Sequence, residues 1–182
     1  MTKNILVLNG SPRKNGNVYT ALKTQTEELV RKIEKDRSNK ANVIWEDVNS
    51  LQIKACCGCM KCRTDKNCIL PNDDAHRVAE EIKACDMLLV GTPVYWGNMN
   101  GKLKMLFDRL VPVLMGESKL GIPIPLHKGK KSVIVTACTT IFPFNYLCGQ
   151  SSGALRAVKE ILKSSGFKIC KKVNISGTKK NA

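Results

Sequence analysis

Five of the nine cysteines in this chain lie within thirteen residues, in the run Cys56-Cys57-Gly58-Cys59-Met60-Lys61-Cys62 and at Cys68. Counted from Cys56, their spacing is C-x2-C-x2-C-x5-C. Cysteines that only fill a hydrophobic core occur one at a time, spread over several elements. Thiols this close together indicate that they share a metal or exchange disulfides.

The residue types leave several occupants open for this segment. Soft thiolates suit both iron–sulfur clusters and zinc. Zinc sites more often pair two C-x2-C units across a longer loop, and this segment has no such loop. A loop that holds no group, or one that acts only as a thiol–disulfide switch, is a further alternative.

A second candidate site is the polar segment Gly10-Ser11-Pro12-Arg13-Lys14-Asn15-Gly16-Asn17, which we call the phosphate loop. It follows an apolar run and precedes a helical pattern, so the free N–H groups of the helix start can hold a phosphate. Ser11 and Asn17 add polar donors, and Arg13 adds a charged fork. The segment matches neither G-x-x-x-x-G-K-[ST] nor G-x-G-x-x-G. A plain strand-to-helix turn with an asparagine cap is the alternative.

Aromatic, glycine and amide residues come together in a third segment, Thr92-Pro93-Val94-Tyr95-Trp96-Gly97-Asn98-Met99-Asn100, which we call the third-strand loop. A flat heterocycle needs such surroundings, with apolar faces and hydrogen bonds along one edge. The alternative is that Tyr95 and Trp96 pack on the core. If both loops leave the same edge of a sheet, a phosphate and a ring together describe flavin mononucleotide (FMN).

Alternating strand and helix patterns position these segments. Strands are predicted near residues 5–8, 43–48, 87–90, 132–135 and 168–175, and helices near 18–35, 74–85, 102–115 and 154–165. Residues 116–131 are predicted to be a loop. This alternation predicts an α/β fold, a flavodoxin-like doubly wound five-stranded parallel sheet of order 2-1-3-4-5 with helices on both faces. We expect one domain over residues 1–182, with a cysteine-rich loop, 54–72, inserted after the second strand.

Composition narrows the function classes. Apolar residues make up 43% of the 182, and charged residues 25%, as in globular proteins. No run approaches the roughly 20 apolar residues of a membrane span, and no signal peptide is evident, so we expect a cytoplasmic protein with reduced cysteines. The net charge of +15 favours anionic partners. The lysines are not interleaved with aromatics, which disfavours nucleic-acid binding. A zinc-stabilised, basic nucleic-acid-binding protein is nevertheless the rival of another class.

Three motifs in this order resemble the NADPH-dependent FMN reductase family, and within it the iron–sulfur flavoproteins. They are GSPRKNGN, the cysteine motif followed by Asn72-Asp73-Asp74, and GTPVYWGNMNGKLKMLFDRL, and they cover roughly residues 3–110. The resemblance implies a flavodoxin-like fold, non-covalent FMN, and a homodimer or homotetramer. Val18 stands at a position where the family usually has Ser or Thr. Residues 139–144 replace a glycine-rich stretch that is common in the family.

The resemblance also implies site residues. The FMN contacts would come from the phosphate loop, the third-strand loop and the segment after the fourth strand, namely Ser11, Arg13, Asn15, Gly16, Asn17, Pro93, Val94, Tyr95, Trp96, Gly97, Asn98, Met99, Thr136, Ala137 and Cys138. The ligands of a [4Fe–4S] cluster would be Cys56, Cys59, Cys62 and Cys68, which leaves Cys57 as an extra thiol.

We therefore expect an FMN-dependent oxidoreductase or electron-transfer flavoprotein. It would pass electrons from NAD(P)H or a ferredoxin-like donor to a small acceptor, and no catalytic side chain is expected because the cofactor does the chemistry. Basic residues beside the cysteines could dock an acidic electron-transfer protein. A cluster-free NAD(P)H:FMN or quinone reductase is the alternative. His76 and His127 are expected to be non-catalytic.

Overall fold

The computed structural model describes residues 1–181. In chain order the strands are β1 (Thr2–Asn9), β2 (Lys40–Asp47), β3 (Met87–Pro93), β4 (Met115–Glu117), β5 (Pro123–Pro125), β6 (Lys131–Ala137) and β7 (Lys168–Ile175). The helices are α1 (Asn17–Glu34), α2 (Cys62–Asp65), α3 (Asp74–Ala84), α4 (Gly101–Arg109), α5 (Val111–Leu114), α6 (Phe144–Leu147) and α7 (Gln150–Ser164). A 3₁₀ turn covers Thr178–Asn181.

Five of the strands form one parallel sheet in the order β2-β1-β3-β6-β7. Counting only these five, the order is 2-1-3-4-5, so the predicted flavodoxin-like fold is confirmed. The chain crosses over each time through a helix, as parallel pairing requires.

Successive side chains of the central strands enter two separate hydrophobic layers. Leu6 and Leu8 of β1 pack on one face with helices α3, α4 and α7, whereas Ile5 and Val7 pack on the other face with α1. Because neighbouring residues of a strand point to opposite faces, a strand covered on both sides must be apolar throughout. This explains why Ile5-Leu6-Val7-Leu8 has no polar alternation.

The segment predicted as a loop, residues 116–131, in fact contains most of a short hairpin, and this part of the prediction is wrong. Strands β4 and β5 pair antiparallel, with Glu117 opposite Pro123 and Met115 opposite Pro125. Proline is tolerated on an isolated two-stranded ribbon because the N–H it lacks can face solvent. Three-residue strands also show too little alternation to be detected.

The predicted helix over 102–115 is divided into two. Helix α4 ends at Arg109, and Pro112 lies in the first turn of α5, where its missing N–H costs nothing. The four-residue helices α2 and α6 were not predicted, since one turn carries no helical periodicity. Within residues 1–181, none of the helices has the length and apolar character that a membrane span would need.

Gly91 allows α1 to lie directly on the sheet, and its replacement gives a test of the packing. A Cβ atom at Gly91 would lie 2.5 Å from Leu22 Cδ1 and 2.8 Å from Val18 Cγ1. We expect Gly91→Ala to lower the free energy of unfolding by about 1–3 kcal/mol, as overpacking does. Urea unfolding followed by circular dichroism measures this.

The matched control is Gly101→Ala at the start of α4, where a Cβ atom would meet nothing within 4 Å. This control should be neutral or stabilising, because alanine is the better helix former. Equal unfolding free energies for Gly91→Ala and the unmodified protein would contradict the packing described above.

Candidate functional site

The carboxyl ends of three adjacent strands bring the predicted loops together. The Gly10 N–H donates to the Gly91 carbonyl at 2.7 Å, which joins the phosphate loop to the end of β3. The Val94 N–H donates to the Ala137 carbonyl at 2.8 Å, which joins the third-strand loop to the end of β6. Ligands of doubly wound sheets bind at this edge.

Side-chain hydrogen bonds hold the phosphate loop in shape. Asn9 Nδ2 donates to Asp47 Oδ1 at 2.7 Å, and Asn9 Oδ1 accepts the Ser11 N–H at 3.1 Å. Ser11 Oγ in turn accepts the Arg13 N–H at 3.2 Å. Asn9 was not among the predicted site residues, although it lies directly before the loop.

Helix α1 begins without a side-chain cap. Its N-cap residue is Gly16, in an extended conformation, and no side chain accepts a hydrogen bond there. No acidic residue lies in the first turn. The alternative of a plain turn with an asparagine cap is therefore not what the structure has. The uncapped N–H groups of an 18-residue helix are suited to an anion instead.

A cleft of about 100 Å³, which we call the phosphate cleft, brings together residues from all three predicted regions. Its predicted lining residues are Ser11, Arg13, Gly16, Asn17, Pro93, Val94, Tyr95 and Ala137. Val18, Thr139 and Thr178 complete the lining. Val18 therefore presents an apolar side chain to the cleft, and the segment after β6 contributes through Thr139.

The third-strand loop turns sharply between Tyr95 and Asn98. Each of these two residues donates its N–H to the carbonyl of the other, both at 2.9 Å. Trp96 and Gly97 between them have φ values of 51° and 71°, which suits a tight two-residue turn. Trp96 is fully exposed and Tyr95 is 46% exposed. The alternative that these aromatics pack on the core is therefore wrong.

A wider cleft of about 780 Å³, which we call the open cleft, adjoins the phosphate cleft and shares Val94, Tyr95 and Thr139 with it. Trp96 and Gly97 form one wall. The start of α7 forms the other wall, through Cys148, Gly149, Gln150, Gly153 and Arg156. Sequence reasoning missed this wall. The glycines at 149 and 153 were the sequence signal that could have indicated a close backbone approach here. A Cβ atom at Gly153 would collide with the Gly97 carbonyl oxygen.

Five predicted cofactor residues line neither cleft. Met99 is buried in the hydrophobic core. Thr136 Oγ1 donates to Asn174 Oδ1 at 3.0 Å, and Cys138 Sγ donates to Gln150 Oε1 at 3.2 Å. Asn15 and Asn98 belong to the right loops but face neither space.

The cysteine loop surrounds a separate cavity of about 300 Å³, which we call the cysteine cavity. All four predicted ligands line it: Cys56, Cys59, Cys62 and Cys68. Burial raises the pKa of the Cys62 thiol. The charge of Arg63 lowers this pKa, whereas the other three predicted ligands raise it further. Among residues 1–181, no three His, Cys, Asp or Glu side chains are arranged to hold a single metal ion. Cys57 lines the same cavity as the four predicted ligands.

Arg109, at the end of α4, ties this loop to the domain. Its Nε donates to Cys68 Sγ at 3.2 Å, and its Nη1 donates to the Lys54 carbonyl at 2.8 Å. Nη1 and Nη2 donate to the Asp73 carboxylate at 2.7 and 3.1 Å. Burial alone would raise the pKa of Asp73, but hydrogen bonds from Arg109 and the Lys54 N–H outweigh it and lower that pKa.

The two histidines lie outside the clefts and the cysteine cavity. His76 Nδ1 accepts the Asp73 N–H at 3.2 Å and completes the capping box of α3. His127 is buried, lies 2.8 Å from the Val113 carbonyl through Nε2, and stacks on Phe167. Burial lowers the pKa of His127. Both side chains have structural contacts that explain their positions.

Comparison with curated proteins identifies relatives named iron–sulfur flavoproteins. One from Archaeoglobus fulgidus is 31% identical over 64% of this chain and 53% of its own length. One from Methanosarcina thermophila is 31% identical over 57% of this chain and 50% of its own length. The chain thus spans about half the length of these relatives. One from Clostridioides difficile is 27% identical over 81% of this chain and 66% of its own length.

Solved structures share the fold at low sequence identity. An azoreductase from Bacillus anthracis has a TM-score of 0.72 and 16% identity, covering 99% of this chain and 89% of that one. An FMN-dependent NADH-azoreductase from Bacillus anthracis in complex with FMN has a TM-score of 0.71 and 11% identity, covering 98% and 88%.

The family model described as NADPH-dependent FMN reductase matches residues 3–140. That range contains the phosphate loop, the cysteine loop and the third-strand loop, and it ends just after Thr139. By this match the chain belongs to the NADPH-dependent FMN reductase family.

Proposed function

We propose that this protein is an FMN-dependent oxidoreductase and electron-transfer flavoprotein that also carries a [4Fe–4S] cluster. It passes electrons from NAD(P)H or a ferredoxin-like donor to a small acceptor. The observation that carries the proposal is the meeting of the phosphate loop, the third-strand loop and the end of β6 around one cleft at the carboxyl edge of the sheet.

The residues of this edge fit FMN. The uncapped start of α1, together with Ser11 and Arg13, offers N–H, hydroxyl and guanidinium donors to a phosphate dianion. Tyr95 and Trp96 offer apolar ring faces beside Gly97. Bound FMN supplies the ability to take up two electrons as hydride and to release them singly.

The open cleft leaves room for a second molecule beside the ring position. Its volume of about 780 Å³ lies within the range of small-molecule sites. Among the described residues, Arg156 is the charged residue that lines this cleft, so its electrostatics favour an anionic partner such as a nicotinamide nucleotide. The azoreductase and quinone oxidoreductase names of structurally similar proteins support a small organic acceptor.

The cysteine cavity would offer thiolate ligands to a cluster. The four predicted ligands line it, and Cys57 lines it with them. Four cysteine thiolates are the usual ligand set of a [4Fe–4S] cluster. Soft thiolate donors suit iron–sulfur chemistry, and a bound cluster supplies one-electron transfer. The relatives named iron–sulfur flavoproteins support the same assignment.

A cluster-free NAD(P)H:FMN or quinone reductase is the second candidate. The exposure of Cys56, Cys57 and Cys59 favours it, because exposed thiols need not hold any group. An absorption spectrum with iron and sulfide analysis, on protein purified without oxygen, separates the two. Membership of a flavin reductase family argues against the nucleic-acid-binding alternative, for which the net charge of +15 was the main support.

We further propose that the protein is cytoplasmic and that it associates with copies of itself. Several large apolar side chains after β6 are exposed, namely Ile141, Phe142, Phe144 and Leu147. A homodimer or homotetramer would cover such side chains near the open cleft. Lys54, Lys61, Arg63 and Lys66 flank the cysteines in the sequence and support docking of an acidic electron-transfer protein.

Arg13→Ala should weaken FMN binding by about 1–3 kcal/mol, the range for hydrogen bonds to charged groups. Ser11→Ala should act in the same direction. Quenching of flavin fluorescence during titration of the apoprotein measures the dissociation constant. Lys14→Ala is the matched control, because Lys14 is a neighbouring cation that does not line the phosphate cleft. Equal losses in Arg13→Ala and Lys14→Ala would show only a general charge effect.

Trp96→Ala should weaken FMN binding by about 0.5–1.5 kcal/mol and shift the flavin absorption bands, as expected on loss of an aromatic contact. The urea midpoint should stay unchanged, because the Trp96 side chain is fully exposed. The flavin spectrum and the unfolding curve of one preparation give both readouts. A lowered midpoint with an unaltered flavin spectrum would assign Trp96 to folding.

Cys59→Ser should abolish the [4Fe–4S] cluster or leave a fragment, whereas FMN should stay bound because its clefts are separate. Cys57→Ser should keep the cluster, since adjacent residues cannot both reach it easily. Cys170→Ser controls for loss of an exposed thiol outside the loop. Iron, sulfide and FMN are measured per chain. Unmodified protein with FMN but without iron, even after reconstitution, would leave the cluster-free reductase.

A further inference from the structure

Arg109 is a buried cation whose side-chain hydrogen bonds go to the cysteine loop and to Asp73, directly after it. Its side chain is 1% exposed. It donates to Cys68 Sγ, to the Lys54 carbonyl and to both oxygens of Asp73. A buried guanidinium is costly unless it is paired and its donors are satisfied. These contacts meet that condition and fix the orientation of the fork.

The Arg109–Asp73 pair closes the base of the cysteine loop. Asp73 accepts the Lys54 N–H at 3.0 Å and the Ala75 N–H at 3.1 Å, besides its bonds from Arg109. Lys54 lies where the loop begins, and Asp73 lies just after it ends. Both ends of the cysteine loop are therefore held by the Arg109 side chain of α4. This helix is itself fixed in the core through Leu103, Leu106 and Phe107.

The Nε bond makes Cys68 different from the other three predicted ligands. Its sulfur receives a charge-assisted hydrogen bond at 3.2 Å from a buried cation. Cys56 and Cys59 are exposed, and Cys56 Sγ accepts only a backbone N–H, from Gly58, at 3.5 Å. Donors to ligand sulfurs and local charge are the levers by which proteins set the potential of an iron–sulfur group.

We propose that Arg109 is a positioning residue for Cys68 and that its N–H···S bond raises the reduction potential of the group held by the cysteines. This inference rests on the cluster proposed above. Reduction adds negative charge that spreads onto the ligand sulfurs. A cation that donates to one of those sulfurs stabilises the reduced form more than the oxidised form. The rest of the fork holds Cys68 in place through Asp73 and Lys54.

Three variants separate tuning of the potential from anchoring of the loop. Arg109→Lys keeps the positive charge, but a single ammonium cannot serve Asp73 and Cys68 together as the planar fork does. Asp73→Asn weakens the anchor and leaves the Arg109–Cys68 bond available. The double variant Arg109→Gln/Asp73→Asn removes both charges, so that no buried carboxylate is left unpaired.

Two measurements are made on each variant. Redox titration of the FMN-loaded, iron-loaded protein, followed by electron paramagnetic resonance, gives the midpoint potential of the cluster. Hydrogen exchange read by mass spectrometry on protein before cluster loading gives the protection of residues 54–73. The second readout does not depend on the activity of the loaded protein.

We expect Arg109→Lys and the double variant to lower the reduced-to-oxidised ratio of the cluster about tenfold at a fixed potential, which is about 59 mV for one electron. Asp73→Asn should speed exchange in residues 54–73 and leave the midpoint close to that of the unmodified protein. An iron-loaded Arg109→Lys with an unshifted midpoint overturns the tuning, as does an equal shift in Asp73→Asn. Unmodified protein that takes up no iron overturns the cluster assignment itself, and the tuning with it.

Discussion

The two-sided burial of the parallel sheet is the constraint on which the rest of this structure depends. Because both faces of β1 and β3 are covered, the side chains in the middle of each strand are apolar, and the polar side chains lie at the strand ends. The Gly10–Gly91 hydrogen bond then holds the first two loops side by side. The phosphate cleft follows from strand order and from the small residues at these ends.

The sequence predicts most of the sheet and the phosphate loop because their signals are local. An apolar run such as Met87-Leu88-Leu89-Val90 suits a strand buried on both sides, and a polar, glycine-bearing segment before a helical pattern suits a phosphate at the helix start. The cysteine cluster was likewise visible in the sequence, since its five thiols lie within thirteen residues. In each case the pattern lies within a short run of neighbouring residues.

The missed features are those created by tertiary contact. The wall of the open cleft comes from α7, more than fifty residues after Trp96, and only the close approach of Gly153 to Gly97 brings the two together. The β4–β5 hairpin lies beside the cysteine loop, because its Glu117 Oε1 is 3.2 Å from Nη1 of Arg63 in that loop. The two side chains form an ion pair without the alignment of a hydrogen bond. Arg109 has the appearance of an ordinary charged residue at a helix end until its burial is known.

Helix α4 connects the two proposed redox sites as one rigid piece. Asn100 caps its start by accepting the Lys102 and Leu103 N–H groups at 2.9 and 3.2 Å, directly after the third-strand loop. Arg109 ends it against Cys68. Its nine residues span about 14 Å, so one helix begins directly after the third-strand loop and ends at the cysteine cavity. The stretch from Gly91 to Leu110 thus supplies the end of β3, the third-strand loop and the helix that carries Arg109.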